Sequence, residues 1–231
     1  MKTIRFILIS TMICCSVVSC YAKGEKKVTD KTFQIFLDKF RNITPPLNYK
    51  KVGTWGKDMT EKEAITFLHK KEADIYCVLK ELGEDDKWYQ TIEKNIPGCK
   101  FKYILNDSVY VLCILESVLG ANNNTTFVFL YSFTHKGEII DKYLVCKEYA
   151  SEEDLVSFIL LDKTHVRVFY YNHNDTRKKE GYRSTVHYIN YEITNNGKFI
   201  MEDKSDILWL KEMPTLYDIY NPKSDDPMNG Y

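Results

Sequence analysis

Tyr131-Ser132-Phe133-Thr134-His135-Lys136-Gly137-Glu138-Ile139-Ile140 is answered sixty residues later by Tyr191-Glu192-Ile193-Thr194-Asn195-Asn196-Gly197-Lys198-Phe199-Ile200. Tyrosine, threonine, glycine and the last isoleucine coincide, and in both a polar turn ending in glycine separates two apolar runs. Such turns between alternating runs mark β-hairpins, because a tight connection needs residues that tolerate positive φ. Any two hairpins share turn residues for that reason. A second correspondence falls in the same order, however: Leu105-Asn106-Asp107-Ser108 with Leu161-Asp162-Lys163-Thr164, fifty-six residues on. The longer loop from Asn172 to Gly181 takes up the difference in spacing. Two agreeing hairpins predict a repeated four-stranded unit.

Outward from this pair, period-two alternation runs from Cys99 to about Asp203 and predicts eight strands. They fall near 99–105, 108–117, 125–134, 138–147, 155–161, 165–172, 183–194 and 198–204. In the third, Phe127, Phe129, Tyr131 and Phe133 share one face. A meander of this length, repeated, resembles a propeller blade. Two blades cannot close a ring, so the expectation is two small antiparallel sheets packed together or one long curved meander. The predicted class is α+β, mainly antiparallel β: two four-stranded meanders in a blade-like repeat, with N-terminal helices packed on them.

Residues 31–98 read as the helical part. Thr32 is placed to cap a helix whose Phe33, Phe36, Leu37 and Phe40 form one apolar stripe, and Pro45-Pro46 ends it. Thr60 with Glu63 three residues on forms a capping box, opening a second helix through Ala64, Phe67 and Leu68, with Met59 stapling its start. Asp74 to Leu82 fits either helix or strand, and Gly83-Glu84-Asp85-Asp86 breaks it. In the C-terminal segment, 205–231, Ile207-Leu208-Trp209-Leu210 can pack on the sheet, while Pro214, Pro222 and Pro227 mark an irregular tail.

The first nineteen residues have another character. Lys2 and Arg5 precede an apolar run, Phe6 to Val18, which is too short to span a bilayer and has no polar face. Val17-Val18-Ser19-Cys20 resembles the lipobox of bacterial lipoproteins. That resemblance implies diacylglyceryl transfer to the Cys20 thiol, cleavage before Cys20, and acylation of the new amine with a palmitate-type chain. Ordinary cleavage after Ala22 is the alternative. More than one acyl chain gives stable membrane anchoring. The organisation read here is a signal peptide at 1–19, a polar tether at 20–30, and one α+β domain at 31–231. With the Phe33-x-x-Phe36-Leu37-x-x-Phe40 helix and the Tyr131-x-Phe133-Thr134-x-x-Gly137 hairpin, the chain is similar to uncharacterised exported lipoproteins of the Bacteroidetes type. No activity comes with that resemblance.

Basic and acidic residues number 32 each, and removing Lys2 and Arg5 leaves the remainder near −2. No basic excess is present to draw the chain to nucleic acid. The 14% aromatic content, with 17 tyrosines, favours strands. Beyond the signal, Cys77, Cys99, Cys113 and Cys146 remain, an even number that permits three pairings in an oxidising compartment. Their wide spacings give no zinc pattern, and Cys113 sits in an apolar run as a small hydrophobe. Unpaired thiols are expected, with Cys77–Cys99 the bridge to examine first.

No GxSxG, phosphate loop, GxGxxG, HExxH or EF-hand loop occurs. His69, His135, His165, His173 and His187 form no i,i+2 or i,i+4 pair on one element. His187 aligns with Phe127 and is expected to fill the same half-buried position. His165 and His173 flank one strand, where a neighbouring Glu or Asp could join them. Glu152-Glu153-Asp154 and Arg177-Lys178-Lys179-Glu180 read as solvated loops, though the second could engage an acidic partner. Tyr170, Tyr171 and Tyr182 border that loop and could stack on sugar rings or anchor a protein, cross-strand packing being the plainer use. Asp107-Ser108-Val109 resembles the O-glycosylation motif of exported Bacteroidetes-type proteins, and the turn accounts for Ser108 equally well.

No catalytic, metal or cofactor site is assigned; Cys20 is the lone site residue, for lipidation. The leading expectation is a membrane-anchored, non-catalytic binding or accessory module of the cell envelope, contacting a glycan or an envelope protein and no nucleic acid. The alternatives are an envelope hydrolase acting on glycan or peptide, and a structural or inhibitor protein working through a protein interface. A deep polar pocket would favour the enzyme, a shallow aromatic platform a glycan, and an uncovered strand edge a protein partner.

Overall fold

The structure, a computed structural model, describes residues 30–48, 56–71, 76–82, 88–118, 125–148, 154–172 and 184–211. The stretch expected to be a signal peptide, Cys20, the expected tether as far as residue 29, and the residues beyond 211 lie outside these residues. So do Glu152, Glu153, His173, Tyr182 and the Arg177–Glu180 loop.

The elements are α1 (Asp30–Leu37), β1 (Arg41–Asn42), β2 (Leu47–Asn48), β3 (Lys57–Asp58), α2 (Glu61–Leu68), β4 (Tyr76–Leu82) and β5 (Trp88–Lys94). Eight strands of one connected sheet follow: β6 (Gly98–Asn106), β7 (Val109–Val118), β8 (Thr125–Thr134), β9 (Ile139–Glu148), β10 (Asp154–Leu160), β11 (His165–Asn172), β12 (Ser184–Ile193) and β13 (Phe199–Lys204). The short β14 (Leu208–Leu210) closes the described chain. The described residues are thus mainly β, with a largely antiparallel sheet and two helices. Strands β6 to β13 neighbour one another in chain order, as hairpin-linked strands must.

Residues 76–82 and 88–94 form strands, not helix: β4 and β5 pair antiparallel as a separate two-stranded sheet. The run 74–82 was ambiguous because a short apolar run carries no period that separates helix from strand. Helix α1 starts before Thr32, which lies within it and does not cap it. It also ends well ahead of Pro45-Pro46. Three turn bonds carry the chain from Asp38 to Phe40, keeping the stripe buried, and then Arg41-Asn42 leave the helical path to pair with β6 in parallel. Helix α2 follows its capping box: Thr60 Oγ1 accepts from Glu63 N at 3.2 Å, and Glu63 Oε2 accepts from Thr60 N at 2.6 Å.

Between β9 and β10 the ladder holds at one pair, Val156 with Lys147, whereas β8–β9 and β10–β11 pair along most of their length. The sheet folds over at this seam. Its halves, β6–β9 and β10–β13, share one core that includes Phe101, Val111, Leu130 and Val145 from the first and Phe158, Val168, Tyr191 and Ile193 from the second. Against the other face of the first half lie Phe33, Phe36, Leu37 and Phe67 of the helices, with Phe40 just beyond α1, over Leu112, Ile114, Tyr131 and Phe133. Phe36 and Phe67 stack at 4.3 Å and 17°. Each such buried phenylalanine is worth about 1.5–3 kcal/mol relative to exposure. A third cluster, Ile159, Phe169, Tyr171, Val186 and Leu210, lies on the far face of the second half, under β14.

Residues 41–48 act as a strap. Arg41-Asn42 pair with β6, Leu47-Asn48 pair with β10 on the edge that faces β9, and Leu47 enters the shared core, so this segment joins the edge of the first half to the second half beside the seam.

The two matched hairpins have the same turn. Thr134 N bonds Glu138 O and Gly137 N bonds Thr134 O, at 2.9 and 3.0 Å; Thr194, Lys198 and Gly197 repeat this at 2.9 and 2.7 Å. Gly137 and Gly197 have φ of 84° and 83°. Their surroundings correspond as well. A Cβ on Gly137 would meet Phe33 of α1 at 2.8 Å, and one on Gly197 would meet Ile140 at 2.9 Å, with Ser132 and Val109 at 3.2 Å. Ser132 Oγ donates to Gly197 O at 2.6 Å. The second hairpin therefore sits on the first half-sheet where the first hairpin sits on a helix. Gly197→Ala is expected to cost about 1–3 kcal/mol, from the left-handed backbone and the close contacts. Urea denaturation measures this, and a loss below about 0.5 kcal/mol would mean that the turn relaxes freely.

Candidate functional site

Alternation along β12 turns His187, Ile189, Tyr191 and Ile193 toward the first half-sheet, and along β11 it turns Val166, Val168 and Tyr170 the same way. Cover thins along this face. Ile193 and Val166 are fully buried and Tyr191 nearly so, while Ile189, His187 and Tyr170 are half-buried. On β13 the half-buried Phe199 gives way to Met201, which is 57% exposed and paired with Tyr191. Tyr143 of β9 reaches across from the first half. These residues form an aromatic shelf at the open side of the shared core.

Three phenols meet on the shelf. Tyr143 Oη lies 3.1 Å from Tyr170 Oη, and it donates to Tyr191 Oη. The Tyr143 and Tyr191 rings are 4.2 Å apart, and Tyr170 stacks on His187 at 5.1 Å and 13°. Burial raises the Tyr143 pKa above the usual tyrosine range, and its bonds to Tyr170 and Tyr191 add to this. Burial pushes Tyr170 up to about 12, against the opposing effect of its bond to Tyr143. Tyr143 and Tyr170 therefore stay neutral at ordinary pH. They offer aromatic faces and hydroxyl donors and acceptors, and supply no activated nucleophile.

His165 is brought together with carboxylates, on the opposite face. Asp162 Oδ1 accepts from Thr164 N and His165 N at 2.6 and 2.8 Å, and Asp162 Oδ2 lies 2.8 Å from His165 Nδ1. Thr164 Oγ1 is 3.0 Å from the same nitrogen, and Glu202 Oε1 is 3.8 Å from Nε2. The bond to Asp162 raises the His165 pKa, outweighing desolvation. Burial alone would raise the Asp162 pKa, but the bonds from Thr164 and His165 prevail and lower it. A general base must turn a ring nitrogen to its substrate. Here Nδ1 is engaged within the turn and Nε2 faces a carboxylate. The group ties the β10–β11 turn to β13.

The other sequence candidates stand apart. His69 caps α2 with φ of 53°, and His135 is exposed in the β8–β9 turn. His187 and Phe127 are both half-buried, as their alignment implied. Tyr170 and Tyr171 are adjacent on a strand and so face opposite ways; Tyr171 packs in the cluster under β14, and the two cannot share a platform. Asp107 and Ser108 are exposed in the β6–β7 turn, where Ser108 N bonds Asn106 Oδ1 at 2.9 Å. Cys99, Cys113 and Cys146 are buried thiols, and the free state of Cys99 removes the Cys77–Cys99 bridge. Burial pushes the Cys99 thiol up to about 12, which makes it unreactive.

Among the described residues no three His, Cys, Asp or Glu are grouped to hold a metal ion, and no helix is long and apolar enough to cross a membrane. A shallow open depression is lined by Asp38, Lys39, Phe40, Arg41, Gly56 and Lys57. In it, the Lys39 amine is taken up by Glu63 Oε2 at 2.6 Å and Asp58 O at 3.2 Å. Comparison with protein families, curated proteins and solved structures returns no match.

The tyrosine cluster gives a pH signature. Tyr170 ionises near 10 when unfolded and near 12 when folded, and Tyr143 is displaced in the same direction. Their contribution to stability is full below pH 10 and is lost as pH rises toward 12 and beyond. Tyr143→Phe is expected to flatten this alkaline slope and to cost about 1 kcal/mol at neutral pH. Denaturant titrations from pH 8 upward, beside the phenolate absorbance, check both effects.

Proposed function

We propose that this chain is an exported, lipid-anchored and non-catalytic binding module of the cell envelope. Cys20 carries the anchor, and the half-buried tyrosine shelf meets the ligand. The observation that carries the binding role is the convergence of Tyr143, Tyr170 and Tyr191 from three strands at an open side of the core. The address rests on Lys2, Arg5, the apolar run to Val18 and the Val17–Cys20 lipobox. The near-neutral charge of the mature chain supports a partner other than nucleic acid, either a glycan or an envelope protein.

The two halves are read as copies of one blade-like unit. The identical Thr-to-Gly turns support this, as does the stacking in which Tyr131 faces the helices while its counterpart Tyr191 faces the first half-sheet. The hydrolase reading draws on His165 between Asp162 and Glu202, and is weakened by the engagement of Nδ1 within its own turn. The protein-interface reading draws on exposed Ile200 and Met201 of β13. That strand carries Glu202-Asp203-Lys204, charges that discourage edge pairing, and its Phe199 N is taken by Asp141 Oδ2 at 3.2 Å.

Expression in a bacterial host tests the address. The wild-type chain is expected in the membrane fraction with an acylated Cys20 at its N-terminus by mass spectrometry. Cys20→Ala is expected in the soluble fraction with unchanged thermal unfolding. Wild-type protein that still begins at Met1 without acyl mass, or Cys20→Ala protein that stays with the membrane, would defeat the anchor.

A further inference from the structure

We infer that the shelf of Tyr143, Tyr170, His187, Ile189, Tyr191 and Met201 is a binding site for a neutral saccharide. This rests on reading the chain as a binding module and names the ligand class of that site.

A sugar ring has an apolar face of C–H groups and an equatorial rim of hydroxyls. The shelf has a counterpart for each. Half-buried aromatic rings and the exposed Met201 side chain supply apolar surface next to solvent. The converging phenols supply the polar partners. Each phenol oxygen has one proton and two lone pairs, so bonding among the three leaves acceptor capacity for a ligand hydroxyl. Apolar surface beside hydroxyl groups fits a polyol better than a purely hydrocarbon ligand, which would leave those lone pairs without donors.

Charge selects within that class. Among the described residues, the side chains acting electrostatically on Tyr143 and Tyr170 are other tyrosines. Where the phenols alone meet it, an acidic ligand would have to lose its hydration uncompensated. The site is also preorganised. Its members stand on β9, β11, β12 and β13, so the ring positions are set by strand register and little ordering cost falls on binding. Neither part of the cluster is legible locally, because Tyr143 and Tyr191 meet across 48 residues of chain.

The test is affinity electrophoresis of the chain as isolated after export. The gels contain starch, xylan, galactomannan or mixed-linkage β-glucan, with polygalacturonate as the anionic comparison. At least one neutral polysaccharide is expected to retard the protein. Tyr143→Phe is expected to weaken that retardation about fivefold, as loss of one hydrogen bond implies. Met201→Lys changes an exposed position that the fold tolerates, and is expected to weaken it tenfold or more. Ile104→Ser, on the opposite face of the first half-sheet, is expected to change nothing. Retardation that both shelf variants leave intact would overturn the inference. Retardation by polygalacturonate alone would overturn the neutral class and leave the binding module standing. If no gel retards the protein, and neither a peptide library nor lipid vesicles shift its tyrosine ring resonances, both readings fall together.

Discussion

A sheet with apolar residues on both faces must find cover twice, and the seam between β9 and β10 is how this chain does so. At that point the ladder is reduced to Val156 and Lys147, and the sheet turns back on itself. Each half then hides one face against the other. The remaining faces need outside cover, which α1 and α2 supply on one side and β14 on the other. Had the sheet continued flat, residues such as Phe158 and Val168 would face water, at about 1.5–3 kcal/mol each. The helices, the strap and the C-terminal strand all follow from that fold-over.

The same constraint creates the shelf. Two half-sheets joined at a seam do not overlap completely, so one part of the inner face stays thinly covered. On β12 burial declines from Ile193 through Tyr191 to His187 within a few residues. Tyrosine suits such a boundary, with a ring that packs and a hydroxyl that finds polar partners. The concentration of Tyr143, Tyr170 and Tyr191 there is consistent with the packing gradient, and the ligand surface and the structural clasp are then the same side chains.

The β-rich part was legible from the sequence because its signals are local. Alternation and turn residues located β6 to β13 to within a few residues, and Gly137 and Gly197 marked turns that do adopt positive φ. The capping box at Thr60 was equally readable. The ends of α1 were not, since what stops that helix is the pairing of Arg41 with Phe101, sixty residues away. The candidate site was least legible. Tyr170 stood out for its loop, yet its partners are set by the register of β11 on β12 and by the fold-over that brings β9 alongside. His165 did meet carboxylates from its neighbours, but the resulting geometry belongs to a turn.

The strap carries one further consequence. It follows α1, whose Phe33, Phe36 and Leu37 are already seated on the first half-sheet, so residues 41–48 run between anchored points. Its ladders to β6 and β10 are two residues long, backed by the bond from Ile43 N to Lys102 O at 3.0 Å and by Leu47 in the shared core. Letting go there would bare one edge of each half while the hairpins stayed whole. A few residues between a helix and a sheet thus act as a clasp on two bodies that are otherwise complete.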